Sequence, residues 1–171
     1  MCWAVPAHRI GRLECEGRRQ ILMRAVVQRV SRARVLVDGE AKGEIGHGLA
    51  VLVAVGREDT AATAASMAEK IANLRIFDDE QGKMNLSLAA TGGAILAVSQ
   101  FTLYGDARGQ RRPSFMQAAP PEQGKAVFDE FVNALKKLGI RTETGAFQAH
   151  MELELVNQGP VTILLDSDKL F

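Results

Sequence analysis

The stretch that decides the fold is residues 49–55, which read Leu-Ala-Val-Leu-Val-Ala-Val and form the longest apolar run of the chain. This run is far shorter than the ~20 residues that cross a bilayer. It also lacks the polar alternation of a strand with one wet face, which predicts a strand that is buried on both faces. We therefore expect a sheet at the centre of the molecule.

Shorter strands are predicted on the N-terminal side of this run. Residues 25–30 and 34–37 are rich in β-branched side chains, which favour strands. Asp38-Gly39 follows, the dipeptide typical of a two-residue hairpin turn, because both positions of that turn need a positive φ. A third strand over residues 41–45 is expected to pair back.

The C-terminal side contains two helices among further strands. Asp59 or Thr60 can cap a helix that runs to about Arg75, with apolar residues at helical spacing. The remaining predicted elements are a strand at 94–104, a helix at 122–138, and strands at 141–144, 151–156 and 161–166. This order predicts a mixed α/β domain with largely antiparallel sheets and two main helices packed on one side, a layered α/β/β arrangement.

Composition excludes several classes of protein. The chain has 171 residues, 47% of them hydrophobic, which suits one domain with a core of its own. A net charge of +1 argues against a polycation that binds nucleic acid through its whole surface. Both cysteines lie before residue 16, and the three histidines show no metal-ligand spacing. We expect no disulfide framework, no bound metal, no cofactor and no membrane segment.

Residues 1–22 differ from the rest of the chain. They contain the only tryptophan and both cysteines, with weak periodicity and no signal-peptide core. A strand pattern begins at once with Met23. We interpret residues 1–22 as a mobile extension, or as the product of an upstream start codon, and residues 23–171 as the functional domain. The alternative is an accessory arm that contacts RNA through its arginines, Arg9, Arg12, Arg18 and Arg19.

Two short segments are candidates for a functional site. Gly159-Pro160 interrupts an apolar β region, where proline cannot donate to a strand ladder and glycine permits close backbone approach. This turn either presents two carbonyl oxygens to a ligand or simply joins two strands. Ser99-Gln100-Phe101-Thr102 lies near the end of a predicted central strand. It forms either the polar edge of a pocket or an ordinary strand with alternating faces.

A hydroxyl and a basic loop complete the candidates. Thr102 is a conceivable nucleophile, but the sequence places no histidine or lysine near it to activate the hydroxyl. Arg108, Arg111 and Arg112 form the densest basic cluster after residue 22. Such a loop suits contacts to the phosphates of a nucleic acid, although a solvated basic loop has the same composition.

Taken together, five segments resemble the bacterial D-aminoacyl-tRNA deacylases, and they extend over residues 23–171. In chain order they are Met23-Arg-Ala-Val-Val-Gln-Arg-Val30, Asn73-Leu-Arg-Ile-Phe77 with Gly82-Lys-Met-Asn85, Ser99-Gln-Phe-Thr-Leu-Tyr-Gly105, Arg112-Pro-Ser-Phe115 and Asn157-Gln-Gly-Pro-Val-Thr162. Each segment alone is weakly informative. Their joint order and spacing make the resemblance specific.

The resemblance implies an obligate homodimer that removes D-amino acids, and glycine mischarged on alanine tRNA, from tRNA. Gly159-Pro160 matches the family's Gly-cisPro motif, which enters the partner's pocket, binds the substrate's α-amino group through its carbonyls and excludes an L side chain. Arg29 matches an arginine that holds this motif. The positions around the ester, the terminal adenosine and the pocket wall correspond to Ser99, Gln100, Phe101, Thr102 and Met151.

The mechanism implied by the resemblance uses the main chain more than side chains. The terminal ribose hydroxyl of the tRNA helps to activate water, and backbone N–H groups near Phe101 and Thr102 stabilise the oxyanion. A nucleophilic Thr102 ranks second. The competing interpretations are a threonyl-tRNA synthetase type of editing domain that removes L-serine, the related animal deacylases, and a non-enzymatic RNA-binding protein. The expected partner is aminoacyl-tRNA and the expected location is the cytoplasm.

Overall fold

The computed structural model describes residues 23–167. The predicted mobility of residues 1–22 concerns a segment outside these described residues. In chain order the elements are β1 (Arg24–Val37), β2 (Glu40–Ile45), β3 (Gly48–Ala54), α1 (Ala61–Ala72), β4 (Phe77–Asp78), β5 (Met84–Leu86), α2 (Leu88–Thr91), β6 (Ala94–Ser99), a 3-10 helix (Phe101–Tyr104), α3 (Pro121–Lys137), β7 (Thr142–Thr144) and β8 (Glu152–Asp166).

The long strand β1 organises the main sheet. Its first half pairs antiparallel with β3 and its second half with β2, while β8 pairs antiparallel along almost its whole length. On the far side of β3 lie β6 and β7, both in parallel register. The Asp38-Gly39 turn between β1 and β2 has φ values of 52° and 79°. The predicted hairpin is thereby confirmed.

Two apolar cores lie on the two faces of this sheet. The larger core joins buried residues of β1 and β3 to those of α1 and α3, which also contact each other. The smaller core contains strand residues, among them Val35, Ile45 and Leu96. The sheet folds over this second core, because β2 contacts β6 and β7, and a Cβ added at Gly43 would lie 2.7 Å from the Thr144 carbonyl oxygen. The predicted mixed α/β fold, with its two main helices on one face, is confirmed.

Several predicted boundaries are wrong. Residues 25–37 belong to one strand rather than two, and the helix expected to reach Arg75 ends at Ala72. The strand expected over residues 94–104 ends at Ser99, where the chain turns into the 3-10 helix. The short elements β4, β5 and α2 escaped prediction altogether.

The two predicted C-terminal strands are one continuous strand, β8. Its register to β1 pairs Val30 with Asn157 and Gln28 with Thr162, so four residues of β8 bulge out opposite the single residue Arg29. Because the bulge carries Pro160 outside the ladder, its missing N–H does not end the strand.

The run over residues 49–55 is buried almost throughout, as predicted.

Within residues 23–167 none of the helices combines the length and apolar character needed to cross a membrane.

Candidate active site

The first candidate segment, residues 99–102, begins at the end of a central parallel strand. Strand β6 lies between β3 and β7 and ends at Ser99. The N–H of Gln100 still donates to the Val53 carbonyl oxygen over 2.7 Å, and the chain then leaves the sheet as the 3-10 helix. Ligands of α/β proteins commonly bind at the carboxyl ends of parallel strands. Residues 99–102 occupy that position here.

A cavity of about 680 Å³ opens at this strand end. Four of the sequence-predicted site residues line it together: Ser99, Gln100, Phe101 and Met151. Apolar and aromatic side chains such as Val55, Phe115 and Phe147 form much of the remaining wall. Its volume lies in the range typical of sites for small ligands.

An exposed aromatic pair lies at the cavity. The Phe101 residue is 58% exposed, although a phenyl ring of this size is usually buried. Its ring meets that of Phe115 edge-on, with centroids 5.2 Å apart and planes at 75°. An aromatic face held in this way, next to a polar strand end, is suited to stacking against a planar base.

The hydroxyl of Thr102 lies beside the cavity-lining residues, and its side-chain neighbour is an amide. The Nε2 group of Gln100 donates a hydrogen bond to the Thr102 Oγ1 atom. A carboxamide cannot remove a proton from a hydroxyl, so this contact orients Thr102 without activating it as a nucleophile. The structure thus brings Gln100 and Thr102 together through one side-chain hydrogen bond.

The Gly159-Pro160 pair forms the tip of the β8 bulge. Residues 158–160 are exposed, the Gly159–Pro160 peptide bond is cis, and Gly159 has φ +123°. The side chain of Asn157 bridges the base of the bulge, because its Oδ1 accepts from the Val161 N–H at 2.9 Å and its Nδ2 donates to Thr162 Oγ1 at 3.0 Å. Side-chain hydrogen bonds therefore hold the base of the bulge, while residues 158–160 at its tip are exposed.

Arg29 supports the same bulge from the opposite strand. Its side chain is buried, with the residue only 5% exposed. The Nε atom donates to the Gln158 carbonyl oxygen at 3.1 Å, and Nη1 donates to the Ile76 carbonyl oxygen at 2.8 Å. The Asp78 carboxylate lies 3.2 Å from Nη1 and balances the buried charge. Arg29 thereby fixes the bulge against the segment that leads into β4.

The predicted site residues thus fall into two separate groups. Ser99, Gln100, Phe101 and Met151 line the cavity, whereas Gly159 and Pro160 are absent from its wall within the described chain. Arg29 belongs with the second group. The described chain therefore presents a cavity in one place and an exposed backbone protrusion in another.

The three arginines of the basic loop, Arg108, Arg111 and Arg112, differ in whether an acidic side chain pairs with them. A bridge between Asp106 and Ser114 closes the loop, and all three arginines are exposed. The Arg108 guanidinium chelates Asp106 at 2.6 Å and 2.9 Å, which holds the pKa of that carboxyl well below its usual range. In residues 23–167 no ion pair engages Arg111 or Arg112. These two retain their full charge for a ligand.

Two cavity residues were missed by the reasoning from local sequence. Arg57 follows β3, lines the cavity and donates from Nε to the Met116 carbonyl oxygen at 2.6 Å. Phe147 lies in the loop after β7 and lines the same wall. No local pattern marks either residue, because each reaches the cavity through tertiary packing.

The chain is similar to several known proteins. The model of the family described as D-Tyr-tRNA(Tyr) deacylase matches residues 26–166. A protein of Symbiobacterium thermophilum named D-aminoacyl-tRNA deacylase is 61% identical over 151 residues, which cover 88% of this chain and all of that protein. The protein of the same name from Thermotoga petrophila is 57% identical over 149 residues, which cover 87% of this chain and all of that protein.

Solved structures also match. One titled "c-Myc DNA Unwinding Element Binding Protein" has a TM-score of 0.79 and 42% identity, covering 84% of this chain and 98% of its own. Another, titled as a probable eukaryotic D-amino acid tRNA deacylase, has a TM-score of 0.74 with the same coverage. Its identity of 20% supports a shared fold only. On the family match and these identities, the chain belongs to the D-Tyr-tRNA(Tyr) deacylase family.

Proposed function

We propose that this protein hydrolyses the ester that joins a D-amino acid to the 3′ end of tRNA, and that it also removes glycine mischarged on alanine tRNA. The observation that carries the proposal is the cavity at the end of β6, lined by Ser99, Gln100 and Phe101. It occurs in a chain whose relatives, at 57–61% identity, are named D-aminoacyl-tRNA deacylase. The proposed partner is aminoacyl-tRNA and the proposed location is the cytoplasm.

We further propose a homodimer in which Gly159-Pro160 of one subunit enters the cavity of the other. The pair is exposed and lies outside the cavity of its own chain. Among residues 23–167, strand β8 pairs with β1 alone, so one edge of β8 has no partner strand in that part of the chain. It also exposes Val156 (41%) and Leu164 (56%). An open edge with exposed apolar side chains favours association with another chain.

Stereoselection in this proposal comes from backbone shape. Carbonyl oxygens of the bulge accept hydrogen bonds from the substrate's α-ammonium group, while the adjoining backbone fills the space that an L side chain would need. Arg29 donates to the Gln158 carbonyl oxygen at 3.1 Å. This hydrogen bond keeps the protrusion rigid, so that it excludes an L side chain instead of moving aside for it. Glycine carries no side chain and is therefore admitted.

The proposed chemistry is addition of water to the ester carbonyl, followed by cleavage of the bond between the carbonyl carbon and the ribose oxygen. The neighbouring ribose hydroxyl assists deprotonation of the water, and the departing ribose oxygen takes up a proton. The first N–H groups of the 3-10 helix, at Phe101 and Thr102, have no acceptor inside their helix and can stabilise the oxyanion. This role needs backbone geometry rather than a reactive side chain.

In this proposal the 3′ end of the tRNA contacts two surfaces of the protein, the aromatic pair at the cavity and the basic loop. The terminal adenine stacks on the Phe101 and Phe115 pair, whose edge-on arrangement supports the exposed Phe101 ring. The phosphates further along the acceptor arm contact the basic loop, chiefly Arg111 and Arg112. Arg108 contributes less, because Asp106 already neutralises it.

The test is ester loss from four charged tRNAs. We expect hydrolysis of D-tyrosyl-tRNA and of glycine carried on alanine tRNA, and none of L-tyrosyl-tRNA or of L-serine carried on threonine tRNA. Release of L-serine alone would identify the editing type of activity instead. If no ester is cleaved while tRNA still binds, the non-enzymatic RNA-binding interpretation gains support.

The role of Thr102 is tested with Thr102→Ala on D-tyrosyl-tRNA. Because its hydroxyl contacts an amide rather than a base, we expect kcat to stay within about tenfold of the original value. A loss of about a thousandfold or more with unchanged tRNA affinity would instead assign Thr102 as the nucleophile. Thr91→Ala, whose hydroxyl donates to a helix carbonyl in α2, is the matched control.

A further inference from the structure

The backbone nitrogen of Met23 lies against a buried carboxylate. It donates to Asp59 Oδ1 over 2.8 Å, and the other oxygen of Asp59 accepts from the Gly56 N–H at 2.6 Å. Met23 is fully buried and Asp59 is 4% exposed. The Met23 carbonyl oxygen is held as well, because it accepts from the N–H and the hydroxyl of Ser167. Both ends of this residue are therefore fixed in place.

The surroundings of that nitrogen are rich in negative charge. Asp166 is also buried, at 3% exposure, and its Oδ2 atom lies 2.9 Å from Nε of Arg24. Burial, with a contribution from the charge of Asp166, raises the pKa of Asp59 to about 6. Within residues 23–167, Asp166 pairs with the Arg24 guanidinium, whereas Asp59 accepts from the neutral amide of Met23. An α-ammonium in place of that amide would give Asp59 a positively charged partner.

This cluster is connected to the candidate active site. Arg24 Nη1 donates to the Leu103 carbonyl oxygen at 3.1 Å, and its guanidinium lies 4.8 Å from the centroid of the Tyr104 ring. Both residues belong to the 3-10 helix that begins at Phe101. On the other side, Gly56 bridges to Ala118, which lines the cavity. The cluster around Met23 is therefore joined to the 3-10 helix through Arg24 and to the cavity-lining residue Ala118 through Gly56.

We propose that Asp59 and the groups around Met23 form a built binding site for a free amino terminus, filled by the α-ammonium of Met23 in chains that begin at that residue. Such chains arise by initiation at Met23 or by cleavage before it. In the 171-residue chain the same position holds an amide, which satisfies the hydrogen bond without supplying the charge. A free terminus at Met23 stabilises the fold and the 3-10 helix beside the cavity.

The test compares three forms of the protein: the 171-residue chain, the chain beginning at Met23, and the latter with its amino terminus acetylated. The Thermotoga petrophila relative is matched over its whole length by 149 residues of this chain, so the shorter form has the length of a complete family member. At pH 7 we expect the free form to unfold at least about 4 °C above the acetylated one. Equal unfolding temperatures would overturn the proposal.

A second measurement does not depend on folding of a variant. The α-amino group of the form beginning at Met23 is labelled and titrated by NMR. We expect its pKa to lie above the ordinary range of about 7.7–8.0, because the buried carboxylates favour the charged form. A pKa inside or below that range contradicts the proposal.

Substitution of Asp59 provides the third arm. In Asp59→Asn the free and acetylated forms should unfold at the same temperature, while Glu58→Gln, an exposed neighbour, should preserve their difference. A difference that persists in Asp59→Asn would overturn the assignment of this carboxylate. These measurements concern stability and titration alone, so they stand whether or not the protein cleaves D-aminoacyl-tRNA.

Discussion

The Nε atom of Arg29 donates a 3.1 Å hydrogen bond to the carbonyl oxygen of Gln158, across a bulge in which four residues of β8 face Arg29 alone. The same guanidinium donates to the Ile76 carbonyl oxygen at 2.8 Å. One planar side chain therefore joins the exposed Gly159-Pro160 tip to the segment before β4. We therefore expect the rigidity of the tip to depend on Arg29.

Arg29→Lys should impair catalysis more than folding. A lysine carries one ammonium group and cannot span both carbonyl oxygens in a fixed plane, so one of them loses its partner. The expected cost is about 1–3 kcal/mol of unfolding free energy. We expect kcat/KM for D-tyrosyl-tRNA to fall about tenfold or more. Arg32→Lys, an exposed position on the same strand, is the control and should change neither quantity. Equal kinetics of the two variants would show that Arg29 does not support the proposed role of the bulge in catalysis.

Gly159→Ala should directly impair the proposed exclusion of L-aminoacyl esters by the β8 bulge. A Cβ at this position would lie 2.8 Å from Cγ2 of Val161 and 3.0 Å from Nη2 of Arg29, at a φ of +123° that L residues rarely adopt. We expect about 1–3 kcal/mol of lost stability and a large drop in the rate on D-tyrosyl-tRNA.

The control for this substitution is Gly82→Ala. Gly82 also has a positive φ, of +73°, but a Cβ there meets nothing within 4 Å. It should cost some stability and leave the ratio of D- to L-tyrosyl-tRNA cleavage unchanged. A Gly159→Ala enzyme with normal rate and normal selectivity would show that the backbone at the tip does not select the substrate.

Elements governed by local chemistry could be predicted from the sequence. The Asp38-Gly39 turn follows from the positive φ at both positions, and the burial of residues 49–55 follows from their unbroken apolar character. The helix expected over residues 122–138 is α3, Pro121–Lys137, so each predicted boundary lies one residue too late in the chain. In each case the pattern and the structure depend on residues that are close in sequence.

The remaining features depend on contacts between distant residues. Phe101, Leu103 and Tyr104 extend an apolar pattern, yet the strand ends at Ser99, and Leu103 and Tyr104 contact Arg24 from within the 3-10 helix. Likewise β8 continues past Pro160 because Arg29 and Asn157 hold the bulge. The local sequence around Pro160 contains Asn157 but not Arg29, which lies on β1. Arg29 could be grouped with Gly159-Pro160 only through the resemblance to a family, because relatives that share a fold also share contacts between distant residues.

The basic loop offers a prediction about salt dependence. Arg111→Gln with Arg112→Gln should weaken tRNA binding and lower the slope of log affinity against log salt by about two, since each phosphate contact contributes about one. Arg108→Gln should lower it by less, because Asp106 already holds that guanidinium. The measurement is tRNA affinity at several salt concentrations. Equal effects of Arg108 and the Arg111 and Arg112 pair would contradict the assigned order.

Asp59 should make the 171-residue chain more stable as pH falls from 7 to 4. Its pKa of about 6 in the folded protein exceeds the ordinary value of 3.8, so the folded state takes up a proton before the unfolded state does. The associated stability is fully present below pH 3.8 and is lost as pH rises through about 6. The shift corresponds to up to about 3 kcal/mol.

Urea unfolding of the original protein and of Asp59→Asn at pH 7, 6, 5 and 4 measures this contribution. The difference in unfolding free energy should move in favour of the original protein as pH falls, while Glu58→Gln should follow the original protein throughout. A constant difference would show that Asp59 has the same pKa folded and unfolded. In the chain beginning at Met23 the trend should be flatter, because a neighbouring ammonium group lowers the pKa of a carboxyl group.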